Sequence, residues 1–233
     1  MTQSLAEKSY DHIRQMLASG QLPPGKRLVN RTLAAEIGVS VIPVREAINR
    51  LASEGLVDHV PGSGAFARDI SRQDLDNLYV LRDALESCAA AEAARHVTED
   101  ELQEFDYILQ QIRQTADAIA GSRNGYSNKR QLNEWMDNEQ HFHELLIDAS
   151  RNPLLAKVVR ENRAISAVFE CQRNDPRLLT ADLAARTCKS KMQLVDALRE
   201  RASARARQLM SDQIQQGRKT VLGYLARKRR PGS

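Results

Sequence analysis

The clearest pattern of apolar and polar positions lies in residues 31–51, where apolar residues recur at helical spacing on both sides of a short turn at 38–40. Ser40 occupies the N-cap position of the second helix, and Pro43 falls in its first turn, where a missing N–H costs nothing. The pattern predicts two short helices around a tight turn, the layout of a helix-turn-helix that reads DNA. The buried stripe of the second helix is predicted to consist of Val44, Ala47, Ile48 and Leu51.

The opposite face of this second helix carries Val41, Arg45 and Asn49, which lie one turn apart. An α-helix fits the major groove of DNA, so we expect these three side chains to meet base edges, with Ser40 beside them at the start of the helix.

A helix is predicted before this motif and a β-hairpin after it. Gly20 and the turn residues 22–25 end the first helix. Residues 56–60 and 65–67 are predicted to be two strands around a glycine-rich turn, and such a hairpin is a wing. At its tip Gly62 would let backbone N–H groups approach phosphate or enter a minor groove. The face that packs the first helix is predicted to contain Ala6, Tyr10, Ile13 and Leu17.

Strand signals vanish from Ser71 onward, and the remaining chain is predicted to be helical. Ser71-x-x-Asp74 and Thr98-x-x-Glu101 are typical of capping boxes that begin helices. The predicted fold is mainly α: an N-terminal winged helix-turn-helix (1–70), a C-terminal all-α bundle of about six helices (71–226) and a basic tail (227–233). The six helices are expected near 71–95, 98–120, 129–150, 153–171, 181–201 and 203–225.

Five polar residues interrupt the apolar stripes of four bundle helices. An unpaired polar group in a core costs roughly 1–3 kcal/mol, and a charged group costs more. These residues therefore either satisfy one another or line a polar cavity, and their occurrence on four helices favours the cavity. For each residue alone, a place at the bundle rim or in a structural salt bridge is the alternative. The five are Arg82, Glu139, His143, Lys191 and Gln213.

Composition adds little to the DNA-binding prediction but limits the class of protein. The chain has 233 residues and a net charge of +4, and residues 1–70 hold eight Lys/Arg against seven Asp/Glu, so the prediction rests on placement. We expect a cytoplasmic protein, since neither a membrane-spanning stretch nor a signal peptide is evident. Cys88, Cys171 and Cys188 lack a C-x-x-C spacing, which favours buried thiols over disulfides or a zinc ribbon.

Six short motifs occur in order within residues 5–68: LPPGKRL at 22–28, Leu33-Ala34, Val39-Ser40, PVREA at 43–47, EGLV at 54–57 and Gly64. With these motifs at this spacing, residues 5–68 resemble the winged-helix domain of GntR-family bacterial repressors. The resemblance implies DNA contacts by Arg31, Arg45 and Gly62. The family pattern has Arg after the turn Ser and Thr before the Pro, where this chain has Val41 and Ile42. Because Val cannot donate to guanine but can touch a thymine methyl, an altered sequence preference is expected.

The helical region contains a second set of motifs: Arg82-x-x-x-Glu86, Glu139-x-x-Phe142-His143, Asn152-Pro153, Ala197, Ala206 and Met210. With these motifs it resembles the ligand-binding domain of the FadR subgroup of that family. Many members hold a divalent metal with an Asp, a His four residues later and two further His, and the metal grips a carboxylate metabolite. The resemblance places Glu139 and His143 at the first two positions and Lys191 and Gln213 at the others. Protonated Lys cannot ligate a metal and Gln is a poor ligand, so no cofactor is expected and only Glu139 and His143 remain as metal ligands.

A direct grip on an anion is the physical alternative to a metal. Arg82 and Lys191 supply two positive charges against the one negative charge of Glu139. Lys191 could stand where the charge of the metal stood, so that an organic acid is held by Arg82 and Lys191 with hydrogen bonds from Gln213 and His143.

These features predict a ligand-responsive transcriptional regulator, a repressor that binds a two-fold double-stranded DNA operator as a homodimer and is released by a small organic acid. One alternative is a DNA-binding dimer whose helical domain has no effector, its cavity sealed by an Arg82–Glu139 ion pair, or still binds a metal. A helical metalloenzyme of the ferritin-like class is a second, but no repeated Glu-x-x-His, nucleophile–base pair or phosphate-binding loop supports catalysis.

Overall fold

The computed structural model describes residues 4–69, 71–169 and 175–228. The chain forms two compact units. One consists of Met1–Leu75 with Ala164–Glu170 and is called the reading unit below. The other consists of Asp76–Arg163 with Cys171–Ser233 and is called the helical unit.

In the reading unit, α1 and α3 pack against each other and α2 packs on both. Ile13 of α1 and Val44 and Leu51 of α3 are fully buried in the core. Gly38 ends α2 in the left-handed conformation with φ of 76°, as the turn requires. The predicted helix-turn-helix is therefore confirmed. Its elements are α1 (Leu5–Ser19), β1 (Arg27–Leu28), α2 (Asn30–Ile37), α3 (Val41–Ser53), β2 (Val57–Val60) and β3 (Gly64–Ala67).

The wing is larger than the predicted hairpin. β2 and β3 pair antiparallel as expected, with Val60 opposite Gly64, but β1 pairs with the other edge of β3 and completes a three-stranded sheet of order β1-β3-β2. The two-residue strand β1 was missed because so short a segment cannot display the alternation that identifies a strand.

Six helices follow the sheet within the described residues. The capping boxes at Ser71/Asp74 and Thr98/Glu101 both form. Helix α9 runs further than predicted, so residues 227 and 228 of the predicted basic tail are helical, and 229–233 lie outside the described residues. The helices are α4 (Arg72–His96), α5 (Glu99–Ala120), α6 (Lys129–Ala149), α7 (Pro153–Phe169), α8 (Ala181–Arg199) and α9 (Ser203–Lys228), with a 3₁₀ turn at Pro176–Leu178.

Helix α5 is at the centre of the helical unit, packed against α6 and α8. Phe105 of α5 and Phe142 of α6 are fully buried and meet edge to face, with ring centroids 5.1 Å apart. Cys188 is buried and Cys88 half-buried, while Cys171 lies outside the described residues. Within the described chain, every helix is too short or too polar to span a membrane.

Candidate nucleic-acid interface and buried ionic cluster

Helix α3 divides into a packing face and a solvent face. The stripe that the sequence predicted to be buried is buried in the structure. Arg45 and Asn49 are exposed on the opposite side, and Val41, one turn before Arg45, is half-buried. Ile42, which sequence reasoning passed over as a contact residue, is 67% exposed in the first turn. The solvent face therefore presents an apolar pair at the start of the helix and two polar side chains further along.

The two arginines of α3 differ in what they contact. The guanidinium of Arg50 lies 3.8 Å above the ring of Tyr10 and pairs with Glu7 at 3.3 Å and Glu54 at 3.2 Å. Arg45 is exposed, and in the described part of the chain nothing pairs with it. Arg50 thus fastens α3 to α1, whereas the guanidinium of Arg45 remains available to a partner.

The other predicted DNA contacts are also on the surface. Arg31 is exposed in the first turn of α2. Ser40 is at the N-cap position of α3 as predicted, but its hydroxyl makes no capping hydrogen bond. Gly62 has φ of 74° at the tip of the wing and has nothing within 4 Å of the place where a Cβ would be.

Arg27 is an unpredicted part of the wing. Its guanidinium lies so close to Gly64 that a Cβ added there would come within 3.3 Å of Arg27 Nε. The pairing of β1 with β3 creates this contact, which the separate segments do not reveal.

In the helical unit, Glu86 lies at the centre of a buried ionic cluster. Arg82 Nε donates to Glu86 Oε1 at 2.8 Å, and Arg163 donates to Glu86 Oε2 at 2.6 Å. Burial by itself raises the pKa of Glu86, but the charges of Arg163 and Arg82 outweigh it and hold the pKa below its usual value. Glu86 is therefore an ionised, doubly paired carboxylate in the protein interior.

Lys191 forms the second half of the cluster. It is 1% exposed, and its Nζ lies 3.3 Å from Glu139 Oε2 and 3.8 Å from the ring centroid of Phe142. Burial lowers the pKa of Lys191, while the carboxylate of Glu139 opposes that shift. The ion-pair geometry completes no hydrogen bond, so Nζ has no hydrogen-bond partner within the described structure.

His143 joins the two halves. Its Nδ1 lies 3.5 Å from Glu86 Oε2, and its Nε2 lies 3.9 Å from Glu139 Oε2. We use the name ionic cluster for these six side chains: Arg82, Glu86, Glu139, His143, Arg163 and Lys191.

The structure gives the predicted polar residues partners that the sequence did not indicate. Arg82 pairs with Glu86, and Glu139 pairs with Lys191. The suggested Arg82–Glu139 pair is replaced by these two pairs. Gln213 is half-buried and donates to the backbone oxygen of Ser190, the residue before Lys191. Direct pairing satisfies most of the buried charges of this region.

Sequence reasoning also missed Arg163 and Asn162 on α7. Asn162 is buried, and its Oδ1 has no hydrogen-bond partner in the described structure. Asn162 lies three residues after the apolar Val159, which places it on the apolar side of an amphipathic helix, and this spacing was a usable signal. In the structure, Val159 is fully buried.

The side chains at the four metal-ligand positions do not fit a divalent metal. The ammonium of Lys191 lies against the carboxylate of Glu139 and would repel a second cation. The amide nitrogen of Gln213 is engaged with Ser190. Among the described residues, no three His, Cys, Asp or Glu side chains are grouped so that they could hold a metal ion.

Two family models match this chain. The model described as "Bacterial regulatory proteins, gntR family" matches residues 5–67, and the "FCD domain" model matches residues 77–216. The first match covers the helix-turn-helix and the wing, and the second covers all six residues of the ionic cluster.

Individual relatives agree with the family models. The chain is 34% identical over 146 residues to the Nta operon transcriptional regulator of Aminobacter aminovorans, covering 62% of this chain and 63% of the relative. It is 30% identical over 145 residues to the HTH-type transcriptional repressor RspR of Escherichia coli, covering 62% of this chain and 59% of RspR. The matches thus span about three fifths of the length of these curated relatives.

A solved structure extends the similarity of fold to nearly the full length. The structure of E. coli McbR/YncC superposes with a TM-score of 0.76 and covers 97% of this chain and 100% of that one. The sequence identity of this pair is 21%, so the match concerns the fold alone.

Proposed function

The chain belongs to the GntR family of bacterial regulatory proteins and carries an FCD domain, and on that premise we propose that it is a repressor released from its operator by a small organic acid. Its relatives are named as transcriptional regulators, and the chain is a regulator and not an enzyme. A name such as transcriptional repressor RspR supports the direction of control. A protein with this role acts in the cytoplasm, where the operator is.

The solvent face of α3 carries the DNA-binding part of the proposal. Arg45 and Asn49 are exposed on one face of a helix that is fixed by its buried stripe. In the major groove such side chains donate to guanine or pair with adenine, while Val41 and Ile42 offer methyl contacts to thymine. Arg31, Ser40 and the backbone at Gly62 are assigned to phosphate or minor-groove contacts.

Two copies of the reading unit are needed for a two-fold operator, so we assign dimerisation to the helical unit. Val80 and Leu81 on α4 are adjacent, apolar and 55% and 46% exposed, which suits a surface that a second copy covers.

The sensor part of the proposal rests on one observation, the buried ammonium of Lys191 without a hydrogen-bond partner. A buried charge needs an anion, and the carboxylate of Glu139 satisfies Lys191 only partly at 3.3 Å. A carboxylate from an effector would complete the hydrogen bonds of Lys191. Because Lys191 and Gln213 are unsuited to ligating a divalent metal, we propose that the side chains bind the acid directly, without a metal.

The alternative, a DNA-binding dimer without an effector, draws support from the ion pairs that close the cluster. In the sensor, an effector acts only through its different affinities for two arrangements of the dimer. Its entry into the cluster requires that the Lys191–Glu139 pair opens.

Fluorescence anisotropy with a selected operator tests the sensor. Organic acids are expected to release the wild-type protein, with the same response after chelator treatment. Lys191→Met should lose the response and still bind the operator, whereas Lys189→Met, which changes an exposed lysine on the same helix, should respond normally. If no acid changes operator affinity or melting temperature, the dimer without an effector is favoured. If chelation abolishes the response, the protein uses a bound metal.

A further inference from the structure

Val41 and Ile42 form an uncharged patch in the first turn of α3, which we call the apolar pair. Ile42 is 67% exposed and Val41 is half-buried, so the core of the reading unit uses neither side chain fully. A single exposed apolar residue on a protein surface is ordinary. This pair differs because it lies on the solvent face of α3, one turn before the exposed Arg45.

Both members of the apolar pair border the residue that we assign to a base edge. Residues three and four positions apart are neighbours on a helix, so Ile42 and Val41 each lie beside Arg45. One helical turn rises about 5.4 Å and one base pair about 3.4 Å. For a helix that lies along the major groove, the apolar pair therefore falls within about two base pairs of the one that Arg45 reads.

The chemistry of the apolar pair limits what it can distinguish in that groove. Thymine differs from cytosine there at two points, the methyl group on C5 and the O4 acceptor in place of the N4 donor. Valine and isoleucine side chains carry neither a donor nor an acceptor, so they cannot sense the second difference. The methyl group is therefore the feature of a pyrimidine that the pair detects, and cytosine methylated at C5 presents the same group.

Ser40, the residue before the apolar pair, is compatible with either pyrimidine. It is exposed at the N-cap position of α3, and its hydroxyl makes no capping hydrogen bond. A hydroxyl both donates and accepts, so it can serve the O4 of thymine as well as the N4 of cytosine. Ser40 therefore adds no requirement for thymine over 5-methylcytosine.

We propose that the apolar pair reads the C5 methyl group of a pyrimidine and not the base that carries it. Thymine and 5-methylcytosine are then both accepted at the facing position, whereas unmethylated cytosine is disfavoured. An operator with cytosine at this position is bound more tightly after a cytosine C5-methyltransferase has acted on it. This inference rests on the proposed function, since it specifies what the solvent face of α3 recognises in the operator.

Fluorescence anisotropy of the full chain on a selected operator tests each methyl group in turn. Exchange of a single thymine for deoxyuridine removes the methyl group and leaves the pairing edge unchanged. Burial of one methyl group raises affinity by about three- to fivefold, so uracil at the facing position should bind more weakly than thymine by that factor. With guanine opposite, 5-methylcytosine at the same position should bind more tightly than cytosine by a similar factor.

The double variant Val41→Ala with Ile42→Ala should bring both affinity ratios, thymine to uracil and 5-methylcytosine to cytosine, close to one. Leu5→Ala is the matched control, since Leu5 is an apolar residue of α1 that is 58% exposed, and it should leave both ratios unchanged. Melting temperatures verify that both variants fold. If the double variant does not fold, the two ratios of the wild-type protein still decide.

The outcomes separate this inference from the proposed function. Equal affinity for thymine and uracil at every operator position overturns the methyl contact and leaves DNA recognition by Arg45 intact. A thymine–uracil difference without a cytosine–5-methylcytosine difference at the same position means that the base itself is read, which also overturns it. Ratios that persist in the folded double variant exclude the apolar pair. If the wild-type protein prefers no sequence over random DNA, the proposed function fails as well.

Discussion

The two units of this protein place their candidate functional residues in opposite environments. In the reading unit, Arg45 and Asn49 stand exposed on a helix held rigidly by apolar packing. In the helical unit, Glu86 and Lys191 are buried among charges that already pair with one another. Removal of an exposed residue loses a contact with a partner, whereas removal of a buried one leaves its neighbours unpaired.

Charge alone does not identify a functional residue in either unit. Arg50 and Arg45 belong to the same helix, yet only Arg50 is tied into the fold by Tyr10, Glu7 and Glu54. Glu86 is similarly structural for the two arginines that it holds. The candidates for ligand contact are the groups whose hydrogen bonds the fold leaves incomplete.

Glu86→Ala should have the largest effect on stability. It strands two arginines, and breaking a buried ion pair costs about 3–5 kcal/mol. Urea denaturation followed by circular dichroism measures the loss. The control Glu161→Ala removes an exposed carboxylate on α7 and should change stability by less than about 0.5 kcal/mol. Equal small losses in both variants would mean that the cluster contributes no more than surface charges.

Arg45→Ala should weaken specific operator binding by about 1–3 kcal/mol with little change in stability. Arg50→Ala is the matched change on the same helix, and we expect it to lower stability while sparing base discrimination. Binding to operator and to random DNA, with melting temperatures of both variants, tests the pair. Should Arg45→Ala weaken both DNAs equally, Arg45 would be a phosphate contact.

Val41→Arg should change sequence preference more than overall affinity. An arginine at this position can donate to guanine, so a binding-site selection should move toward guanine at the facing base pair. Wild-type protein selected in parallel is the control. An unchanged preference would indicate that position 41 does not face the bases.

The smallest effects concern pH, where the two units should respond at opposite ends of the scale. The lowered pKa of Glu86 means that its contribution to folding is present above the usual carboxylate pKa and is lost as pH falls through the lowered value. Burial and the hydrogen bond to Glu54 raise the pKa of Tyr10 from 10.0 to about 12, so its contribution is present below pH 10 and is lost as pH rises toward 12.

Melting temperatures across the pH range test this asymmetry. Glu86→Gln should flatten the acid side of the profile, and Tyr10→Phe should flatten the alkaline side. The reverse assignment, or two profiles parallel to that of the wild type, would contradict the linkage.

Local patterns in the sequence were sufficient for most of the architecture. Helical spacing of apolar residues placed α3 and its exposed face, and cap residues such as Thr98 marked where helices begin. These features depend on residues three or four positions apart, which are neighbours in a helix whatever the rest of the chain does. The strand β1 escaped because its partner β3 lies almost forty residues away in sequence.

In the ionic cluster, the choice of ion-pair partners depends on tertiary packing. The sequence indicated that Arg82, Glu139, His143 and Lys191 belong to buried stripes, but it did not indicate which would pair. Glu86 meets Arg163 across 77 residues of sequence, and Lys191 reaches Glu139 from a different helix. A charged residue on a buried stripe can pair with any opposite charge on a neighbouring helix, and the periodicity of one helix does not specify the rotation or register of the next. The packing of α4, α6, α7 and α8 made that choice, and it left Lys191, Glu139 and Asn162 with incomplete hydrogen bonds.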